Sequence, residues 1–211
     1  RDDSDKLVFA EIARLKRQGM TKLVLDFRGN LGGRVDAAAS LVSEFLRDGD
    51  EIVSYRQRGR EKGRHVTSGN GDYLGMPLAL LVDDTSASAS ELVGGALQDH
   101  TAAPIIIGSR SYGKGTRQHI FDVDNGRALR ITDARWHTPN GTSIDAQRNP
   151  DGSRKHGTGG LTPDIEVAVT AEQAAKVFAD RSRELNGGQV TQRAPDPALD
   201  RAVQELTAPS A

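Results

Sequence analysis

Apolar positions along this chain repeat with two periods, and the changes from one to the other mark the elements. Over residues 4–18, Val8, Ile12 and Leu15 share a helical face and Gly19 suits the stop. The run Leu23-Val24-Leu25 then ends at Asp26 and reads as a buried strand. Arg28-Gly29-Asn30-Leu31-Gly32-Gly33 leads to a second helix over 35–47, apolar at Val35, Ala38, Leu41, Val42 and Phe45. Short apolar runs predict strands at 51–56, 77–82 and 104–108, with a helix over 89–99 between the last two. The charged, Gly-rich stretch 58–75 has no period and is expected to be a surface loop. Residues 118–123 and 128–136 predict a hairpin around Asp124-Asn125-Gly126. Residues 138–160 read as loop, 165–169 as a short strand, and 171–185 and 197–207 as helices.

Strands alternating with helices point to an α/β core with short crossovers. The expected organisation is a core over residues 1–170 and a C-terminal helical segment over 171–211 that packs on it. A chain of 211 residues with 36% hydrophobic content can bury such a core, although its 23 glycines make it rich in loops. Composition then narrows the chemistry. With 28 basic and 29 acidic residues the net charge is -1, which gives no electrostatic reason to expect nucleic acid as a partner. The absence of Cys excludes a thiol nucleophile, a disulfide framework and a thiolate metal site. No run approaches the roughly 20 apolar residues of a membrane helix, and the opening Arg1-Asp2-Asp3-Ser4-Asp5-Lys6 is not a signal peptide.

Three stretches carry candidate chemistry. Gly108-Ser109-Arg110-Ser111-Tyr112-Gly113-Lys114 has the spacing of a phosphate loop, but Gly115 replaces the required Ser or Thr and the following residues read as a strand. The glycines at 29, 32 and 33 follow a strand and precede a helix, yet do not fit the dinucleotide fingerprint. A tight turn is the simpler account, although adjacent glycines also let a substrate approach and offer N–H groups to an anion. The third stretch is Ser86-Ala87-Ser88-Ala89-Ser90-Glu91, at a strand-to-helix junction. Its serines are plausible helix caps. The same place suits a nucleophile, because the first N–H groups of a helix have no intrahelical partner. Ser88 as nucleophile, Lys114 as base and a Gly33 N–H as oxyanion donor is then one assembly among several. A lysine acts as base only when neutral, which requires its pKa to fall from about 10.4 toward about 7–8, for instance through burial. Spacing alone does not pair Ser88 with Lys114. The five histidines form no close ligand pair, so zinc is not expected. A triad through His119 or His137 stays open, though no serine lies in G-x-S-x-G.

Taken together these motifs resemble the carboxyl-terminal processing, or tail-specific, proteases. The resembling segments are 23–33, 86–91 with Ala96-Leu97-Gln98-Asp99, 112–118, 134–141 and Leu161-Thr162-Pro163-Asp164, in order over roughly residues 5–167. The resemblance implies a crotonase/ClpP-like α/β protease core and a serine endopeptidase that cleaves proteins near their C-terminus with a Ser–Lys dyad. By motif position Ser88 is the nucleophile, with Ser90 as the alternative because the connection over 99–104 is a residue longer than the resemblance leads one to expect. Lys114 is the general base, Gln118 holds it, and Gly33 with the Ala89 N–H forms the oxyanion hole. Ser86 and Ser90 support or cap, Glu91 anchors the helix start, and Asp26 and Arg28 are structural.

No cofactor and no metal ion are expected. The implied partners are protein or peptide substrates with accessible C-termini, with control by a homo-oligomer or an adaptor. The implied location is exported, in the periplasm or cell envelope, with the signal or anchor outside this chain. The family's PDZ domain is not visible, since 58–75 is too short and too polar to be one. The alternative function is a catalytically silent peptide-binding or scaffold module of the same fold.

Overall fold

The structure, a computed structural model, describes residues 4–100 and 104–208. The connection around 101–103, whose length bears on the choice between Ser88 and Ser90, lies outside the described residues. Helices α1 (Ser4–Arg17), α2 (Val35–Ser43), α3 (Ala89–His100), α4 (Ala171–Leu185) and α5 (Pro197–Thr207) surround eight strands. The strands are β1 (Leu23–Asp26), β2 (Glu51–Gln57), β3 (Arg60–Val66), β4 (Leu78–Val82), β5 (Pro104–Gly108), β6 (Thr116–Val123), β7 (Arg127–His137) and β8 (Ile165–Glu166). They form a parallel sheet ordered β1-β4-β5-β8 and an antiparallel sheet ordered β3-β2-β7-β6.

Strand β4 shows why its sequence has no polar alternation. It is central, so both faces are covered. Leu78, Leu80 and Val82 enter the main core with Val42, Leu46, Leu92, Leu97 and Ile106. Ala79 and Leu81 face the other way, into a smaller core with Ile107 and with Ala198 and Ala202 of α5. Every β4 residue is therefore buried. The antiparallel sheet joins the main core through Ile52, Val53, Tyr55, Ala134 and Trp136. There the Tyr55 and Trp136 rings meet edge to face at 6.3 Å.

Two expectations change. The stretch 58–75 is not all loop, because Arg60–Val66 pairs antiparallel with β2. Its charged, unpatterned sequence hides the strand, since β3 is a sheet edge held by backbone hydrogen bonds and most of its residues are exposed. The turn signal is Arg58-Gly59, both at positive φ, as a two-residue hairpin requires. The second helix stops at Ser43, before 47. Glu44 N–H and Phe45 N–H donate to Leu41 O and Val42 O three residues back, and this tightening lets Phe45 and Leu46 bury.

The C-terminal helices carry strong local signals. Thr170 and Gln173 form a capping box at the start of α4. Asp196 caps α5 just before Pro197. Asp196 also receives both terminal nitrogens of Arg28 at 2.7 Å, while Arg28 holds Asp26 on its other side. Arg181 of α4 adds a contact to Asp26 at 3.1 Å. Burial by itself would raise the Asp196 carboxyl, but the hydrogen bonds and charge of Arg28, with help from Leu199 N–H and Arg181, hold its pKa below the ordinary value. A carboxyl depressed in the folded state stabilises above its unfolded pKa, and that contribution is lost as pH falls through the folded value. Thermal melting from pH 7 to 2 is therefore expected to show an acid limb below about pH 4 that is shallower in Asp196→Asn than in wild type. Identical limbs would remove Asp196 as its source.

Candidate active site

Three loops leave the carboxyl ends of β1, β4 and β5, the usual place for a site in a parallel sheet. They are the glycine loop 27–34, the serine turn 83–88 and the lysine loop 109–115. Hydrogen bonds tie each to the next. Asn30 O accepts from Ala87 N–H at 3.0 Å and from the Ser90 hydroxyl at 3.2 Å. Ser86 donates its hydroxyl to Phe27 O at 2.8 Å. The Asp83 carboxylate accepts from Gly29 N–H at 3.1 Å and from Ser86 N–H at 2.9 Å. Tyr112 N–H donates to Ser86 O at 2.9 Å, which lays the lysine loop against the serine turn.

Glu91 closes the assembly. It is fully buried and accepts four hydrogen bonds. The Ser111 hydroxyl and Gly113 N–H reach Oε1 at 2.5 and 2.6 Å. The N–H groups of Ser88 and Lys114 both reach Oε2, each at 2.8 Å. The two backbone nitrogens are therefore at most twice that distance apart, although 25 residues separate them in sequence. Glu91 does anchor the helix start, through Ser88 N–H, as the third residue of α3. Its grip on the lysine loop is what sequence reasoning missed, together with Ser111. A Glu three residues after a Ser signals a cap, and nothing local signals a partner more than twenty residues on.

Ser88 sits at φ +60, a left-handed conformation uncommon for a residue with a side chain. The other described non-glycine residues with positive φ, Arg58 and Asn125, lie in hairpin turns. Such strain costs about 1–3 kcal/mol and concentrates at functional sites. Gly32 explains how the turn is accommodated. A Cβ there would stand 2.6 Å from Ala87 O and 2.7 Å from Ser88 Cβ, so only glycine lets the two loops touch. Gly32 N–H is occupied by Asn30 Oδ1, whereas Gly33 N–H and Ala89 N–H have no partner among the described residues. These two were the expected oxyanion donors. Beside them opens a cleft of about 130 Å³ whose apolar walls are Val8, Phe27, Ala37, Ala38, Leu41 and Val93.

The backbones of Ser88 and Lys114 are brought together, but their side chains are not joined. No hydrogen bond links Ser88 Oγ to Lys114 Nζ, and among the described residues Ser88 Oγ caps no backbone N–H. Lys114 is exposed and not buried in an apolar pocket. Gln118 is also exposed and donates to the Thr132 hydroxyl at 3.3 Å, with no bond to Lys114. His119 lies on the β6–β7 hairpin 3.3 Å from Asp133, and His137 is half-buried with its pKa lowered by burial. Neither bonds Ser88. The lysine loop runs into strand β6 and not into a helix, which removes the phosphate-loop alternative. Among the described residues no group of His, Asp and Glu is arranged to hold a metal ion.

Comparison with known proteins places this geometry. The model of peptidase family S41 matches residues 2–167. A carboxy-terminal-processing protease of Bartonella bacilliformis is 43% identical over 145 residues, covering 68% of this chain and 30% of that protein. The chloroplastic carboxyl-terminal-processing peptidase 1 of Arabidopsis thaliana is 33% identical over 152 residues, covering 72% of this chain and 28% of that protein. Among solved structures, the photosystem II D1 C-terminal processing protease superposes with a TM-score of 0.69 at 27% identity, over 86% of this chain and 42% of its own. The chain thus spans about three-tenths of the length of these curated relatives.

Proposed function

The chain belongs to peptidase family S41, and from that premise we propose that it is the catalytic core of a serine endopeptidase using Ser88 and Lys114. The observation that carries the proposal is the shared Glu91 Oε2, which holds the backbones of both residues side by side. The four-carbon stem of Lys114 leaves Nζ free to swing to Ser88 Oγ, because only the Lys114 backbone is fixed. Neutral Lys114 takes the Ser88 proton as Oγ attacks the peptide carbonyl. The developing oxyanion is held by Gly33 N–H and Ala89 N–H, each such donor being worth about 2.7–4 kcal/mol. Protonated Lys114 then passes its proton to the leaving amine, and water releases the acyl group by the reverse roles. Gln118 enters as a residue that steadies Lys114 once it has turned inward.

The cleft beside Gly33 and Ala89 takes the side chain before the cut. Its apolar wall and small volume favour Ala or Val there. A peptide series varied at that position is expected to be cleaved at least about tenfold faster after Ala or Val than after Trp or Asp. A flat profile would separate the cleft from the reaction.

Substrates with accessible C-termini, a PDZ module elsewhere in the polypeptide, oligomer or adaptor control and an exported location belong to the same proposal. They rest on likeness to the processing proteases. One observation favours the second reading, a silent peptide-binding module: Lys114 is exposed and unbonded to Ser88. The deciding experiment is peptide cleavage by wild type, Ser88→Ala and Lys114→Ala. Loss in both variants supports the dyad. Equal cleavage by all three removes it, and cleavage by none favours the silent module.

A further inference from the structure

A second cavity, of about 590 Å³, lies between the carboxyl ends of β4, β5 and β8 and the inner face of α4. Its size is that of a ligand site. All of α4 lies beyond the part of the chain that the family match covers. Gly29, Asp83 and Ser109 all line it, and these are the roots of the glycine loop, the serine turn and the lysine loop. Each root is close to the reaction. Asp83 binds Gly29 N–H and Ser86 N–H, two residues before Ser88. Ser109 N–H donates to Val82 O at 3.2 Å, two residues before the Ser111 that bonds Glu91.

The walls are apolar, with Val167 and Val169 on one side and Val177 and Phe178 on the other. Phe178 stays 61% exposed, its ring beside Gly29. The charges at the rim are unequal in availability. Arg28 and Arg181 are engaged by Asp26 and Asp196. Asp83 is filled by backbone donors. Asp84 and Glu166 are exposed, and among the described residues neither carboxylate accepts a hydrogen bond. Arg154, whose charge reaches Asp84, donates to Ser111 O and Tyr112 O. The available charge is therefore negative beside an apolar hollow.

We propose that this cavity binds an extended segment of a separate partner protein, with an apolar side chain seated between Val167 and Phe178 and a Lys or Arg facing Asp84 and Glu166. Charge complementarity selects a basic segment, and a hollow of this size takes a few side chains in preference to a helix face. Occupancy presses on the roots of all three loops and so changes the rate of the proposed peptidase. The binding half stands apart from the peptidase reading, and the rate half rests on it.

The test uses a fluorescent, N-acetylated and C-amidated Lys-Leu-Lys-Leu-Lys peptide, titrated by anisotropy into the full chain carrying Ser88→Ala. Saturable binding is expected. It weakens at least about tenfold in Ala175→Trp, which fills the cavity, and in Asp84→Asn combined with Glu166→Gln. It is unchanged in Glu172→Gln, on α4 outside the cavity. A Glu-Leu-Glu-Leu-Glu counterpart binds at least about tenfold more weakly. Absent binding, equal binding of the acidic peptide, or equal affinity in the cavity variants overturns the site. A concentration-dependent dimer that Ala175→Trp abolishes assigns the cavity to a second copy and also overturns it. In the active chain, saturating peptide is expected to shift cleavage of a reporter by at least about twofold, with no shift in Ala175→Trp. An unmoved rate with intact binding overturns the coupling alone. A reporter that is not cleaved at all counts against the peptidase reading and leaves the binding result standing.

Discussion

Exchanging Ser88 for Ala, or Lys114 for Ala, is expected to lower kcat/KM for peptide cleavage by about 10,000-fold or more, with the double variant losing little beyond either single one. A nucleophile and its base act as a unit, so removing both is far from additive. The oxyanion donors remain and account for what activity survives. Neither change costs the fold much. Among the described residues Ser88 Oγ makes no hydrogen bond, and Lys114 is held by its backbone while its side chain is exposed. Melting temperatures stay within a few degrees of wild type, as for substitutions away from buried networks. Ser88→Gly sharpens the contrast, because glycine accepts φ +60 without strain. It is expected to be inactive and more stable by about 1 kcal/mol. Additive losses in the double variant would break the pairing of Ser88 with Lys114.

Glu91→Gln damages both stability and activity. An amide cannot accept on its nitrogen, so two of the four donors now face another donor. The Ser111 hydroxyl can rotate to accept, which favours placing the amide nitrogen on that side and leaves Gly113 N–H without a partner. An orphaned buried donor costs about 1–3 kcal/mol. Urea unfolding is expected to report a loss in that range, and Glu91→Ala, which orphans all four donors, a larger one. Activity falls by about 100-fold or more, since a displacement of about 1 Å between reacting groups has that effect. A Glu91→Gln variant as stable and active as wild type would mean that the carboxylate is not the link between the two loops.

The elements were legible where one local signal decided them. The capping box at Thr170 and the Pro after Asp196 place the starts of the last two helices to the residue. Asn125-Gly126 places the β6–β7 turn, and the continuous apolar run of β4 marks a strand buried on both faces. Strand β3 was not legible, because an edge strand needs only a paired backbone and its charged side chains carry no period. The site was legible in part. The serine turn and the glycine loop can be found as junctions between a strand and a helix. Gly33 could be nominated, but Gly32 as the residue that touches Ser88 could not, since both glycines look alike in sequence.

The amino-acid sequence alone thus determined the order of the elements other than β3, the family and the residues proposed to carry the chemistry. Each of these is written in periodicity, turn residues or a motif of a few positions. Only the tertiary structure decided what those residues do to one another. It joined Ser88 and Lys114 through one oxygen of Glu91, and it clasped Arg28 to Asp196 across most of the chain. It also left Lys114 in solvent and opened a cavity behind the three loops. These are contacts between segments far apart in sequence, fixed by how the parallel strands stack side by side, and no local pattern encodes them.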